Sequence, residues 1–181
     1  MQQLDTYSFP KELYGKSKLF VQLWWVVQTV FCNPSPQFMY GWRRFWWRLF
    51  GAKVGKKVII RPSVKCTYPW KVKIGDYSWI GDQVVLYSVD SITIEKNTVV
   101  SQKSYLCTAS HDYKLSNFPT ITSPIYIKEG CWLASDVYVA PGVTIGQETL
   151  VGARSSVFSS LPDKKICVGS PAKPIKDRSY S

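Results

Sequence analysis

An aliphatic residue recurs at every sixth position through Ile127, Leu133, Val139, Ile145, Val151 and Val157, without a break in register. A helix would repeat its apolar positions at three and four residues, and a half-buried strand at two. Four residues after each of these stand Cys131, Val137, Val143, Thr149, Ser155 and Leu161, mostly small or β-branched, and glycine follows the leading aliphatic at Gly146 and Gly152. The same phase runs upstream in blocks of three: Val54, Ile60, Cys66; then Ile74, Ile80, Leu86; then Ile94, Val100, Leu106, with a step of eight between blocks. Three hexads make one triangular turn of a parallel β-helix, so an insertion after every third hexad always lands on the same corner. The long insertion between Leu106 and Ile127 obeys that rule. The leading aliphatics are expected to stack inside the coil, the small residues to fit the corners, and the glycines to relieve the backbone there. About five coils follow. A β-sandwich would instead show period two with turn signals every ~8–12 residues.

The chain therefore divides into a segment 1–51, a parallel β-helix over 52–162 with an inserted loop at 112–126, and a tail at 163–181. The first segment holds an apolar stretch from Leu19 to Phe31, a breaker at Asn33, Pro34, Ser35 and Pro36, and a second stretch from Phe38 to Phe50. Two short helices are predicted. In the second, Trp42, Phe45, Trp46, Leu49 and Phe50 recur at helical steps, Arg44 and Arg48 lie one turn apart, and Gly51 is placed to end the helix. Such a helix suits a membrane interface, and it equally suits a lid over the open end of the β-helix. Leu19 to Phe31, interrupted by Gln22 and Gln28, falls short of the ~20 apolar residues of a membrane span. With polar residues ahead of Leu19, no signal peptide is read.

The net charge of +11 is concentrated early: thirteen Lys and Arg stand against Asp5 and Glu12 up to Lys73, whereas the remainder is balanced. That asymmetry favours an anionic partner such as phosphate or an acidic membrane surface, or else a solvated basic face. No nucleic-acid module is present, so nucleic acid is not expected as a partner. Cys32, Cys66, Cys107, Cys131 and Cys167 are odd in number and lack the close pairs of a zinc site. They are read as reduced thiols of a cytoplasmic protein without a metal.

The hexads containing Val139-Ala140-Pro141-Gly142-Val143-Thr144-Ile145-Gly146, Val151-Gly152-Ala153-Arg154-Ser155 and Gly169-Ser170-Pro171-Ala172-Lys173-Pro174-Ile175 resemble the C-terminal half of bacterial hexapeptide-repeat sugar O-acetyltransferases. The similarity is greatest to the colanic acid acetyltransferase family, through Gly41-Trp42-Arg43-Arg44, Leu49-Phe50-Gly51-Ala52, Pro69-Trp70 and Leu106-Cys107-Thr108 with Ser110-His111-Asp112. The resemblance implies an all-β, left-handed parallel β-helix, a homotrimer with active sites between subunits, and acetyl-CoA as acetyl donor to a sugar hydroxyl in exopolysaccharide or surface polysaccharide biosynthesis. The acceptor is a carbohydrate, and whether it is free, nucleotide-linked or lipid-linked is left open. A lipid-linked acceptor would suit peripheral contact with the anionic inner face of the cytoplasmic membrane. A non-catalytic hexapeptide scaffold or binding subunit is the alternative.

Acetyl transfer to an alcohol requires a base, an oxyanion donor and a site that aligns thioester and hydroxyl. His111, the single histidine, stands where the periodic core gives way to the long loop. Its position matches the catalytic base of the resembling family; a lone histidine elsewhere is usually a packing or surface residue. Asp112 would orient that base or bind a sugar hydroxyl. Trp132, Ala134 and Ser135 match the strand and turn that line the pantetheine channel, with Ser135 as oxyanion donor, although Trp132 also fits a packing residue at a subunit contact. Ala153 matches a backbone contact to CoA, and Arg154 and Lys173 would meet its phosphates. Tyr87 and Ser88 fall on the acceptor side. Phe158 and Ser159 replace a Thr-Lys pair, and Ser88 an asparagine, common in better-known sugar acetyltransferases.

Overall fold

The computed structural model of the protein describes residues 2–179. Ser17 starts the first helix, its Oγ accepting from the Phe20 N–H at 3.3 Å. Helix α1 (Lys18–Val27) continues into one π-helical turn, Gln28–Cys32. After the break at 33–36, α2 (Tyr40–Leu49) ends before Gly51, which takes φ of 90°.

The solenoid follows, coil by coil. The first three coils are β1 (Lys53–Val54), β2 (Ile59–Ile60), β3 (Lys65–Cys66); β4 (Val72–Ile74), β5 (Trp79–Ile80), β6 (Val85–Tyr87); and β7 (Ile92–Ile94), β8 (Val99–Val100), β9 (Tyr105–Cys107). A hairpin of β10 (Ala109–His111) and β11 (Thr120–Thr122) then leaves the stack. Two more coils follow: β12 (Ile125–Ile127), β13 (Trp132–Leu133), β14 (Tyr138–Val139), and β15 (Thr144–Ile145), β16 (Leu150–Val151), β17 (Ser156–Val157). Strands β18 (Lys165–Gly169) and β19 (Ala172–Asp177) close the chain.

Three parallel sheets make the faces of the prism. The first face is β1-β4-β7-β12-β15, the second β2-β5-β8-β13-β16-β18 with β19 antiparallel at its end, and the third β3-β6-β9-β14-β17. The register sets each aliphatic of the six-residue repeat on its equivalent, as in Ile60, Ile80, Val100, Leu133, Val151 and Cys167 on the second face. Members of these columns are at most 8% exposed. Each fully buried aliphatic stabilises by ~1.5–3 kcal/mol, so the columns form the core. The stack extends past the five expected coils: Leu161 bridges to Ile145, and β18 pairs parallel with β16. The segment read as a tail at 163–181 thus begins as a partial sixth coil.

The corner residues add polar links between coils. Ser78, Thr98, Ser104, Thr149 and Ser155 are all buried. Their hydroxyls reach backbone of the neighbouring turn, for example Ser78 Oγ to Glu95 O at 2.8 Å and Ser104 Oγ to Ala134 O at 3.1 Å. The role expected of the glycines needs correcting. Gly146 and Gly152 do not take positive φ; a Cβ on Gly146 would stand 2.4 Å from the Asp163 nitrogen, and one on Gly152 would meet Val168 Cγ1 at 2.7 Å. They permit close stacking. The left-handed turns fall instead on Lys57, Tyr77, Asn97, Glu148 and Lys164 at one corner and Gln83, Lys103, Asp136 and Arg154 at the next. For residues with a Cβ this conformation costs about 1–2 kcal/mol each, which the stacked core offsets.

A parallel stack leaves an open backbone edge on its first coil. Amides of that coil donate onward, as in Ile59 N–H to Ser78 O and Lys65 N–H to Val84 O, both at 2.9 Å, so carbonyls facing the other way need donors. The helices supply them. Arg43 Nε reaches Ile60 O at 2.6 Å, Arg44 Nη1 reaches Val58 O at 2.8 Å, Arg48 Nε reaches Val54 O at 2.9 Å, and Trp24 Nε1 reaches Cys66 O at 2.9 Å. Gln28 Oε1 accepts from the Cys66 N–H at 2.7 Å. Trp24, Val27, Trp47 and Phe50 bury themselves on the same coil. Part of the early positive charge is therefore structural: three guanidiniums close a sheet edge.

Gly146→Ala should lower the thermal midpoint by ~5 °C or more, because backbone must move, whereas Lys103→Gly should leave it unchanged or raise it. Arg43 is fully buried and also donates to Ser35 Oγ, Pro36 O and Gln37 O. Arg43→Ala should cost about 3 kcal/mol in urea unfolding, since several buried acceptors lose a charged donor.

Candidate active site

His111 is the last residue of β10, paired in register with Thr120 of β11. Its Nδ1 lies 2.9 Å from the Phe118 carbonyl oxygen. A carbonyl can only accept, so Nδ1 carries the proton in that bond, and neutral imidazole then keeps its lone pair on Nε2. Among the described residues Nε2 has no hydrogen-bond partner. The ring is held flat against Phe118, with centroids 4.2 Å apart and 7° between planes, and takes the edge of Tyr7 at 5.7 Å. Phe118 adopts φ of 47° to present its carbonyl. Tyr7 is fixed by its hydroxyl, 2.8 Å from Thr120 Oγ1, and the N-terminal segment is tied to the hairpin tip by Gln3 N–H to Ser116 O at 2.8 Å. The hairpin thus fixes the imidazole ring and leaves Nε2 as the nitrogen with an uncommitted lone pair.

Asp112, next in sequence, turns elsewhere. Its Oδ1 accepts from the Lys114 N–H at 2.9 Å, shaping the loop, and its own N–H donates to Pro119 O at 3.0 Å. Tyr87 ends β6 one coil below the hairpin and faces outward on the third face, half-buried. Ser88 needs correcting: it is fully buried, accepting from the Tyr68 N–H at 2.9 Å and donating to Tyr68 O at 3.0 Å. Its hydroxyl ties two coils and does not reach a surface of this chain.

Across the third face runs an aromatic ladder of Tyr87, Tyr105, Tyr138 and Phe158, with successive ring centroids 6.2, 6.2 and 5.8 Å apart. Burial raises the phenols, Cys107 adds to the shift, and Tyr138 is pushed up to about 12. Neutral hydroxyls result, able to donate as well as accept. Tyr105 and Tyr138 carried a signal in the sequence: each directly precedes an inward aliphatic, Leu106 or Val139, and so faces outward on one sheet. Tyr7 and Phe118 carried none, because the contacts that bring them to His111 are aperiodic.

The remaining sequence-derived residues gather at the corner between the second and third faces. Trp132 lies outward on β13, half-exposed, with Nε1 donating to Ser101 Oγ at 3.0 Å. It borders a shallow cleft of about 620 Å³ with Trp79, Val99, Arg61, Gln102 and Tyr40. The Ala134 N–H is used in the ladder, donating to Val151 O at 2.9 Å. The Ser135 Oγ accepts from Gln102 Nε2 at 2.7 Å, while among the described residues the Ser135 N–H has no hydrogen-bond acceptor. One coil on, Ala153 is exposed, and the side chain of Arg154 is 86% exposed, only loosely paired with Asp136 at 3.8 Å. An exposed pair of that kind contributes little and leaves the cation available. Lys173 lies on β19 opposite Val168, whose side chain abuts Gly152, so it joins the same corner. Trp132, Ala134, Ser135, Ala153, Arg154 and Lys173 therefore form one column, and His111 with Asp112 stands at the other edge of the third face.

No family model matches the chain. It is 57% identical over 178 residues to a protein of Escherichia coli assigned to colanic acid biosynthesis as an acetyltransferase, spanning 98% of both chains. It is 27% identical over 129 residues to the galactoside O-acetyltransferase of the same organism, covering 70% of this chain and 64% of that one. A hexapeptide-repeat-containing acetyltransferase of Vibrio cholerae, crystallised with acetyl coenzyme A, superposes with a TM-score of 0.83 at 25% identity over 90% of this chain and 89% of the other. With 57% identity to the first over nearly the whole of both chains and a shared solenoid with the third, the chain belongs to the colanic acid biosynthesis acetyltransferase family of hexapeptide-repeat proteins.

Proposed function

We propose that the protein moves an acetyl group from acetyl-CoA to a carbohydrate hydroxyl in the making of an exported or surface polysaccharide. The relatives are named for acetyl transfer to galactosides and in colanic acid biosynthesis, and the Vibrio cholerae structure carries acetyl coenzyme A. The observation that carries the reading on this chain is the fixed tautomer of His111, with Nδ1–H committed to Phe118 O and Nε2 left as base.

In the reaction, Nε2 takes the proton of the acceptor hydroxyl as its oxygen attacks the thioester carbonyl carbon and a C–O bond forms. Negative charge gathers on the former carbonyl oxygen, where the unpaired Ser135 N–H donates. The carbonyl re-forms, the C–S bond breaks, and the departing thiolate recovers the proton from the imidazolium. The products are the acetyl ester and CoA, with His111 neutral again. Trp132 and the backbone at Ala134 and Ala153 flank the pantetheine arm, and Arg154 and Lys173 meet its phosphates. Tyr87, Tyr105 and Tyr138 face the acceptor, while Asp112 shapes the loop that carries the base.

The working unit is a homotrimer in the cytoplasm, where it meets the inner face of the membrane. Support for assembly is the separation within one chain: base and oxyanion donor stand at opposite edges of the third face, so a site holding both is composed from two copies. Cyclic packing about an axis along the solenoid brings the hairpin edge of one copy to the donor edge of the next. Support for a reducing compartment is that all five cysteines are free, four of them buried.

Acetyl-CoA-dependent thiol release with a panel of free, nucleotide-linked and lipid-linked sugars tests the reading. His111→Ala should lower kcat by about 10²–10⁴-fold while sedimenting as the wild type does. If wild type neither binds nor consumes acetyl-CoA, the protein is a scaffold.

Ser135→Pro should fold normally, because the corner position equivalent to Ser135 in the first coil is already Pro62, two residues past Ile60 as Ser135 is two past Leu133. It removes the amide donor and should lower kcat by about 10²–10³-fold. Refolding the two inactive variants together should restore part of the activity, since some clefts then combine an intact His111 with an intact Ser135; no recovery would mean that both groups act within one copy.

A further inference from the structure

The basic, aromatic front end has two faces, and closing the first coil uses only one. On α1, Val21, Trp24 and Val27 point into the solenoid, while Leu19, Leu23 and Val26 point away, followed by Val30 in the π-helical turn. On α2, Arg43 and Trp47 point inward, while Phe45 and Leu49 point away. These six outward residues, Leu19, Leu23, Val26, Val30, Phe45 and Leu49, are 50–80% exposed. Six exposed large apolar side chains on two adjoining helices are more than a face that meets only water usually carries. Trp25 and Trp42 flank it, each with its indole N–H on a backbone carbonyl, Thr67 O at 3.3 Å and Phe31 O at 2.8 Å.

We infer that this outer face is a docking surface for an anionic lipid bilayer, on which the solenoid stands by its helical end. Charge selects that occupant over a second copy. Lys16 and Lys18 at the start of α1 and Lys53, Lys56 and Lys57 in the first coil are exposed, and among the described residues none is ion-paired. No acidic residue occurs between Glu12 and Asp76. A self-complementary pairing would bring two such cationic rims together, whereas acidic headgroups complement the rim and acyl chains the centre. Among the described residues no helix is long and apolar enough to cross a membrane, so the contact is peripheral. The geometry deepens the trimer reading, on which one part of it rests: parallel solenoids about a common axis present three such faces in one plane, and simultaneous engagement strengthens binding to a flat surface without any new contact. An acceptor built on a lipid carrier would then be met where it is anchored.

Co-sedimentation of the full chain with phosphatidylcholine vesicles, with and without phosphatidylglycerol, tests this at low and high salt. Each sample is also assayed for acetyl transfer to a soluble sugar. The wild type should partition onto phosphatidylglycerol vesicles and be weakened by salt. The double variant Leu23→Gln, Phe45→Gln should lose at least about tenfold in partitioning while keeping its soluble activity and oligomeric state. Absence of wild-type binding, or binding indifferent to the double variant, overturns the docking surface. So does sedimentation in which wild-type assemblies pair and the variant dissolves the pairs, which would make the face a contact between copies. Activity lost with vesicle binding retained would strike the proposed reaction and leave the docking surface standing.

Discussion

Each coil of this solenoid is completed by the next. A two- or three-residue strand has no stability of its own; it persists because its amides and carbonyls are shared with neighbouring coils and its inward side chains join a column. That dependence sets the tolerances of the rest. It allows non-glycine residues to hold left-handed turns at two corners, excludes a Cβ at Gly146, and turns corner hydroxyls inward to bind backbone. At the first coil, which no strand precedes among the described residues, it demands donors from elsewhere. Arg43, Arg44 and Arg48 meet that demand, so the most conspicuous charge in the sequence begins as an answer to unpaired carbonyls.

The periodic part of the molecule was legible because each hexad sends its leading aliphatic, and often the residue four further on, into the core, and neither helix nor flat strand repeats at that spacing. Faces, register and the corner of insertion all follow from it. The glycines were legible as important but not in their role, since close approach between coils and positive φ leave the same trace in a sequence. The two readings of the front end, lid or interfacial helix, could not be separated by periodicity because α1 and α2 are apolar on both sides: inward Trp24 and Trp47, outward Leu23 and Phe45. The arginines held the missing information, as Arg43 and Arg44 with Arg48 one turn further on set three donors beside the first coil.

The site was legible in its parts and less so in its arrangement. His111 could be found as the only imidazole at the base of the only long insertion; that Phe118 and Tyr7 hold its ring could not, because neither contact repeats. Ser88 looked like a neighbour of Tyr87 on the acceptor side, but alternation along an extended strand sends adjacent side chains to opposite sides, and a buried backbone at Tyr68 captured its hydroxyl. The separation of His111 and Asp112 from the remaining residues across one face depends on where each falls within its coil, visible only once the strands are assigned to faces.

At the opposite end from the helices, β18 would be the last strand of the second face with its edge bare, had β19 not turned back on it. The edge that β19 shows in its place carries Lys173, Pro174 and Lys176. Proline withholds a donor, and lysines resist the approach of a like-charged strand. A stack of short parallel strands is otherwise close to the geometry of a fibril, in which identical coils could add without limit. On the second face the terminal hairpin therefore sets a proline-bearing, cationic edge where a bare strand would invite another chain.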